Sequence, residues 1–280
     1  MKILLIGKEG PISQSIQSKA IGRGHEFKII SALTLSYTYS NRRLEIHSQE
    51  VDFLSFDVYI IRGVETDFAQ LIGKYLYKNN KILIDEDLGY KKIINIKNIE
   101  HKEGLNIPRF IINPQREDID KFTYPAIIKD IRGKKGRNVY LVKNKNEAKK
   151  IIADNNNIHF MIQDYIEAQK EIRIIFVREK VLHLGMEKVN TKNVIKNIAQ
   201  GGIGKAYKLN LKEIEIANEC RRATLLDIGG IDLVISKDGE YYILEVNRSP
   251  VFTEFEKCTG ISVAEEIVIL AENKYKTLTK

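Results

Sequence analysis

The stretch from Gly230 to Pro250 constrains this chain more than any other, because it reads as one β-hairpin with a fixed tip. Val234 to Ser236 and Tyr241 to Val246 are rich in β-branched and aromatic residues, and Asp238-Gly239 between them is a two-residue turn signal. With so short a turn Lys237 pairs with Glu240. Counting back along the ladder sets Asp232 opposite Glu245, with Cβ atoms ~4.5–5.5 Å apart, and the strand period of two puts Asn247 on the face of Glu245. Two carboxylates facing each other repel unless a cation lies between them. An all-oxygen set of Asp, Glu and Asn suits Mg²⁺ that keeps its other positions for water and phosphate. The alternative is a polar sheet face turned to solvent; against it, Ile231, Leu233, Ile243, Leu244 and Val246 predict strands covered on at least one side, where unpaired charge is costly. Asp232, Glu245 and Asn247 are therefore the predicted metal ligands.

The rest of the chain alternates strand and helix. Lys2 to Ile6, Glu26 to Ile30, Asp57 to Ile61 and Lys81 to Ile84 read as strands, with helices over Ile12 to Arg23 and Phe68 to Tyr77, so the first part is a small parallel-sheet domain. Gly7-Lys8-Glu9-Gly10 lacks the third glycine of a dinucleotide fingerprint, and no acidic residue follows the second strand. From Tyr124 a second compact unit begins: strand Ala126 to Lys129, loop Gly133 to Gly136, strand Asn138 to Val142 and helix Glu147 to Ala153. Phe160 to Ile166, Glu171 to Val177 and Lys180 to Met186 are successive strands, followed by an amphipathic helix over Leu211 to Leu226, the hairpin, and a last helix over Val263 to Lys274. The class is α/β (α+β), with divisions expected at 1–86, 87–165 and 166–280.

Length allows a substantial core in 280 residues. No run of about 18 apolar residues occurs, and Met1 to Gly7 is too short for a signal peptide, which predicts a cytoplasmic protein with no membrane partner. Two cysteines and five scattered histidines have neither disulfide nor zinc spacing. The net charge of +8 is spread along the chain without a nucleic-acid motif, so no nucleic-acid partner is expected.

One further segment has the residue types that phosphate chemistry needs. Lys129 at a strand end is followed by a glycine-containing basic loop, Gly133, Lys134, Lys135, Gly136 and Arg137, in which glycines admit backbone N–H groups to anionic oxygens and cations neutralise charge. An exposed basic turn has the same composition. Phe160 to Ile166 read as a strand running out into a linker whose backbone could hydrogen-bond a purine edge. Glu171 and Arg173 alternate on one strand face, either as an ion pair or as contacts to ribose and substrate carboxylate.

Taken in order, these segments resemble the ATP-grasp superfamily, and within it the RimK-type carboxylate-amine ligases that attach glutamate or a similar amino acid. Asp57 to Gly63, Gly104 to Pro108 and above all Glu245-Val246-Asn247-Arg248-Ser249-Pro250 with Glu256 to Ile261 carry the likeness. The resemblance implies an ATP-grasp fold with an N-terminal Rossmann-like pre-ATP-grasp domain, a central lid domain and a C-terminal domain holding Mg²⁺ (or Mn²⁺). It gives Lys92 and Lys129 to the ATP phosphates, with Gly133 to Arg137 as the phosphate loop and Lys196 and Asn197 near it. Gln163, Asp164, Tyr165 and Ile166 line adenine, and Glu171 holds ribose. Arg173 binds substrate carboxylate or acyl phosphate and acts in catalysis with Lys129. Arg62, Gly201, Gly202 and Arg248 fall to substrate.

The activity implied is formation of an amide or peptide bond between a carboxylate and an amino acid, through an acyl phosphate and with ATP as co-substrate. The carboxylate partner belongs to a coenzyme, a small molecule or a carrier protein, and a homodimer or homotetramer is implied. Ile195-Lys196-Asn197 and Gln200 depart from the ribosomal-protein-modifying members. The Ile-x-Asn-x-Ala-x-Gly-Gly spacing of Ile195 to Gly202, with Gly133-x-x-Gly136-Arg137, looks more like the archaeal and thermophile branch with lysine-biosynthesis and coenzyme-glutamylating ligases. A non-catalytic, nucleotide-binding regulatory protein on the same fold is the competing expectation.

Overall fold

The structure, a computed structural model, describes residues 1–84, 105–133, 137–189 and 203–278. Lys92, Lys134, Lys135, Gly136, Lys196, Asn197, Gly201 and Gly202 lie outside the described residues.

The N-terminal part runs β1 (Lys2–Gly7), α1 (Pro11–Gly22), β2 (Glu26–Ile30), β3 (Leu35–Ser40), β4 (Arg43–Ser48), β5 (Val58–Arg62), α2 (Thr66–Lys78) and β6 (Ile82–Ile84). Its parallel sheet has the order β2-β1-β5-β6. β1 and β5 are almost continuously apolar because both of their faces are covered. Leu4, Ile6, Tyr59 and Ile61 pack with Ala69, Ile72 and Leu76 of α2 and with Leu35 and Ile46 of the β3–β4 hairpin. That hairpin is absent from the sequence reading. Its turn residues, Asn41 and Arg42, both adopt left-handed backbone, and arginine in place of the usual glycine hides the signal.

The central part comprises β7 (Phe110–Ile112), α3 (Arg116–Lys121), β8 (Ala126–Asp130), β9 (Val139–Val142), α4 (Lys145–Ala153) and β10 (Phe160–Asp164), with an antiparallel sheet ordered β7-β10-β8-β9. Ala126, Ile128, Phe160 and Ile162 bury one face against Ile119 of α3 and Ala148 of α4. The Asn144 side chain caps α4 by accepting from the Asn146 and Glu147 N–H groups at 3.0 Å.

The C-terminal part contains β11 (Ala168–Val177), β12 (Lys180–Val181), β13 (Leu184–Val189), β14 (Ile203–Lys208), α5 (Leu211–Thr224), β15 (Ile228–Ser236), β16 (Tyr241–Asn247), α6 (Thr253–Thr259) and α7 (Val263–Leu278). The sheet order is β14-β13-β11-β15-β16, all antiparallel. Ile172, Ile174, Ile231, Leu233, Ile243 and Val246 face Ile216, Ala217 and Cys220 of α5. On the other face Ile175, Val177 and Ile228 join Ile3, Leu5, Val58 and Ile60 of the N-terminal sheet around Val263, Ile267, Val268 and Ala271 of α7. The first and last parts of the chain thus share one core, with α7 between their sheets. Lys274 of α7 fastens it by donating to the Leu83 carbonyl at 3.0 Å and to the buried Asp227 carboxylate at 2.7 Å.

The hairpin reaches its expected register by an unexpected route. Ser236 N–H bonds the Glu240 carbonyl at 2.8 Å, and Gly239 sits at φ +81°, so the loop holds three residues rather than two and the ladder starts one residue out of step. Ile235 then pairs with Tyr241, and Leu233 with Ile243. A bulge at Leu244 absorbs the extra residue and brings Asp232 opposite Glu245. The bulge also switches the face of β16. Ile243 and Val246, three residues apart, both enter the apolar core, which frees Glu245 and Asn247 for the opposite side.

Candidate active site

Beyond its apolar end, the α7 side of the C-terminal sheet turns polar. Arg173 on β11 pairs in register with Asp232 on β15, which pairs with Glu245 on β16; Glu171 lies two residues before Arg173, and Asn247 two after Glu245. Alternation therefore aligns Glu171, Arg173, Asp232, Glu245 and Asn247 on one face. Lys188 of β13, not singled out in the sequence reading, completes the row.

The charges interlock. Arg173 grips Asp232 with two bonds, Nε to Oδ1 at 2.9 Å and Nη2 to Oδ2 at 2.7 Å. Lys188 Nζ lies 3.0 Å from Asp232 Oδ1 and also pairs with Glu171. Both Lys188 and Asp232 are buried. Burial opposes an ionised Asp232, but the Arg173 guanidinium and the Lys188 ammonium outweigh it and hold the carboxyl well below the usual carboxylate range. At Glu171 burial prevails over Lys188 and raises the carboxyl above its ordinary value. Burial would lower Lys188, yet Asp232 and Glu171 keep its ammonium above the ordinary lysine value. The repulsion expected between Asp232 and Glu245 is thus relieved partly within the protein, by cations reaching Asp232 from β11 and β13.

The donors suit a hard divalent cation. Three carboxylates, Glu171, Asp232 and Glu245, stand against two cations, Arg173 and Lys188, leaving one net negative charge when all are ionised. Asn247 Nδ2 donates to Glu245 Oε1 at 2.8 Å, so the amide offers Oδ1 to a cation. Among the described residues no group of three or more His, Cys, Asp or Glu side chains is placed to hold a metal. The oxygen donors that could hold a divalent cation on this face are the carboxylates of Asp232 and Glu245 and the amide of Asn247.

The remaining candidates are distributed around this row. Lys129 on β8 lies opposite Met161, and Gln163 opposite Ile127, on the side of the central sheet away from its helices. Gln163 is buried. Asp164 is tied to Arg109 by its backbone N–H at 2.9 Å and by a 3.0 Å ion pair, and Tyr165 and Ile166 form the link from β10 to β11. The ends of the basic loop are stapled at Asp130, whose carboxylate accepts from Arg132 N–H at 2.8 Å and Asn138 Nδ2 at 3.3 Å. Gly133 is obligatory there, since a Cβ would lie 2.8 Å from the Arg137 carbonyl oxygen. Arg137 is exposed. Arg248 is fully buried, and Arg62 reaches across from β5 to the Pro250 carbonyl at 2.8 Å. Lys188 had one legible signal: a lysine two residues after Met186, on the apolar face of a strand.

A RimK-like ATP-grasp domain model matches residues 77–270. The chain is 25% identical to a protein of Coxiella burnetii named "Probable alpha-L-glutamate ligase", over 99% of this chain and 97% of that protein. It is likewise 25% identical to the "Ribosomal protein bS6--L-glutamate ligase" of Escherichia coli, over 96% of this chain and 94% of the other. Among solved structures, the ATP-grasp ligase PsnB complexed with minimal precursor, Mg and ADP superposes with a TM-score of 0.76 at 13% identity, covering 98% and 97% of the two chains. That identity speaks for the fold alone.

Proposed function

Because the chain belongs to the RimK-like ATP-grasp family, whose ligases use ATP and Mg²⁺, we propose that it is an ADP-forming carbon–nitrogen ligase joining an amino acid, glutamate or one like it, to a carboxylate acceptor. The observation that carries this reading is the row of Glu171, Arg173, Lys188, Asp232, Glu245 and Asn247 on one sheet face.

An amine does not displace oxide from a carboxylate, so the acceptor is first phosphorylated by ATP and the amine then expels phosphate from the acyl phosphate. A bound Mg²⁺ or Mn²⁺ would supply positive charge to offset that of the transferring phosphoryl group. Asp232, Glu245 and Asn247 would hold that ion by oxygen atoms. Arg173, fixed by its two bonds to Asp232, presents the rest of its guanidinium to the acyl phosphate or substrate carboxylate without reorganising. Lys129 and the loop from Gly133 to Arg137 cover the phosphates from the central sheet, Gln163 to Ile166 line adenine, and Glu171 meets the ribose. Arg248, buried beside the metal strand, contributes to acceptor choice. No side chain forms a covalent intermediate; the residues act by positioning and by charge. The acceptor is a small molecule, a coenzyme or a protein carboxylate, and the reaction runs in the cytoplasm. Among the described residues, no helix is long and apolar enough to cross a membrane.

The test is ADP and hydroxamate formation with Mg·ATP, hydroxylamine in place of the amine, and a panel of acceptors carrying glutamyl, aminoadipyl, coenzyme-linked or peptide carboxylates. Hydroxamate from one acceptor supports acyl-phosphate chemistry and identifies the carboxylate. Failure of Mg·ATP to bind would overturn the reading.

A further inference from the structure

We infer that Arg62 is a positioning residue, which sets the metal-bearing end of β16 through the Pro250 carbonyl rather than by touching acceptor. The inference rests on the metal reading of Asp232, Glu245 and Asn247. Arg62 ends β5 and is 8% exposed. Its Nη2 donates to the Pro250 carbonyl at 2.8 Å, and its guanidinium lies 5.4 Å over the ring of the fully buried Phe252. Both contacts fall in the segment that leaves β16 directly after Asn247.

Each end of this connection is closely fitted. Arg62 pairs with Gly7 of β1, where a Cβ would lie 2.2 Å from the Arg62 carbonyl oxygen, so glycine is what lets β5 run close to β1 at that point. Pro250 in turn rests on Gly230, where a Cβ would lie 2.6 Å from Pro250 Cβ. Gly230 is the register partner of Asn247 and stands two residues before Asp232. A continuous path of packed contacts thus runs from the end of β1 through Arg62 and Pro250 to two of the three metal ligands. A guanidinium held on a carbonyl and over a ring defines the direction in which the chain leaves β16, and so where Asn247 points.

The experiment compares Arg62→Met, Arg62→Gln and the wild type, using the full chain. Mn²⁺ binding in the presence of ADP is read by loss of the free-ion electron paramagnetic resonance signal, beside kcat and acceptor KM for hydroxamate formation. Arg62→Met should weaken Mn²⁺ binding by about tenfold and lower kcat, with acceptor KM within about twofold of wild type. Arg62→Gln, which keeps an N–H donor for the carbonyl but no charge, should recover part of the Mn²⁺ affinity. Unchanged Mn²⁺ binding in Arg62→Met, or a large rise in acceptor KM that Arg62→Gln shares in full, would overturn the positioning role in favour of acceptor binding. Should Arg62→Met lack the wild-type circular dichroism, Arg62→Gln and Arg62→Lys decide by the same readouts. Absence of Mn²⁺ binding by the wild type overturns the metal reading itself, and this inference with it.

Discussion

Replacing Lys188 by methionine removes the ammonium that two buried carboxylates share while keeping most of the side-chain volume. Asp232 loses a contact at 3.0 Å but keeps both bonds from Arg173, so it stays paired. Glu171 loses its ion pair with Lys188 while staying largely buried, and its carboxyl is already raised by that burial. At an effective dielectric of about 20, one pair at this distance contributes about 5 kcal/mol of Coulomb attraction, much of it offset by the desolvation that methionine no longer suffers. Removing one partner of a buried pair costs about 3–5 kcal/mol; with Asp232 still covered by Arg173 the lower end applies, about 3 kcal/mol, or roughly 6–12 °C in Tm. Adding Glu171→Gln removes the stranded charge and should restore at least about half of the loss. Thermal melts of the wild type, both single variants and the double variant, at pH 7.5 with chelator present, give the cycle. A Tm for Lys188→Met within about 2 °C of wild type, or a double variant whose loss equals the sum of the singles, would refute the buried triad.

Asp232→Asn should lower ADP formation by at least about a hundredfold, because it weakens the metal set and releases Arg173; turnover near wild type would count against Asp232 as a ligand. Gly230→Ala should cost about 1–3 kcal/mol in urea unfolding, since Pro250 must retreat from the new methyl group; an unchanged midpoint would show that the loop yields freely. The Glu272 carboxylate accepts from Arg23 at 2.8 and 2.9 Å and contacts His25 at 2.7 Å; the Arg23 hydrogen bonds, the largest influence, lower it from 4.5 to about 2. A depressed acid contributes stability above its unfolded value and loses it as pH falls towards the folded one. The stability difference between wild type and Glu272→Gln should therefore be full above pH 4.5 and shrink towards pH 2, and a pH-independent difference in acid unfolding would contradict it.

The juxtaposition of Asp232, Glu245 and Asn247 was legible because it is local: the three lie within one hairpin, and strand alternation orders them. Their pairing was nevertheless inferred from the wrong loop, since a three-residue turn and a bulge at Leu244 cancel, and neither leaves more mark than one glycine. Lys188 was missed for the opposite reason. It reaches Asp232 from β13, across β11, a neighbour known only from strand order. Arg62 falls to substrate only through the family resemblance, and its bond to Pro250 spans two parts of the fold that no spacing relates. The β3–β4 hairpin escaped because Asn41-Arg42 lacks the glycine usual in such a turn.

The position of α7 sets the order in which the chain can complete itself during synthesis. Ile3, Leu5, Val58 and Ile60 are made early, yet part of the core that encloses them, from Val263 to Ala271, emerges from the ribosome some two hundred residues later. Until then, among the described residues, α1 is the helix of the N-terminal segment that packs on that face, through Ile16 and Ala20. The same helix packs on Ile175, Val177 and Ile228 of the C-terminal sheet, so the core that the two sheets share is complete only once α7 has been made.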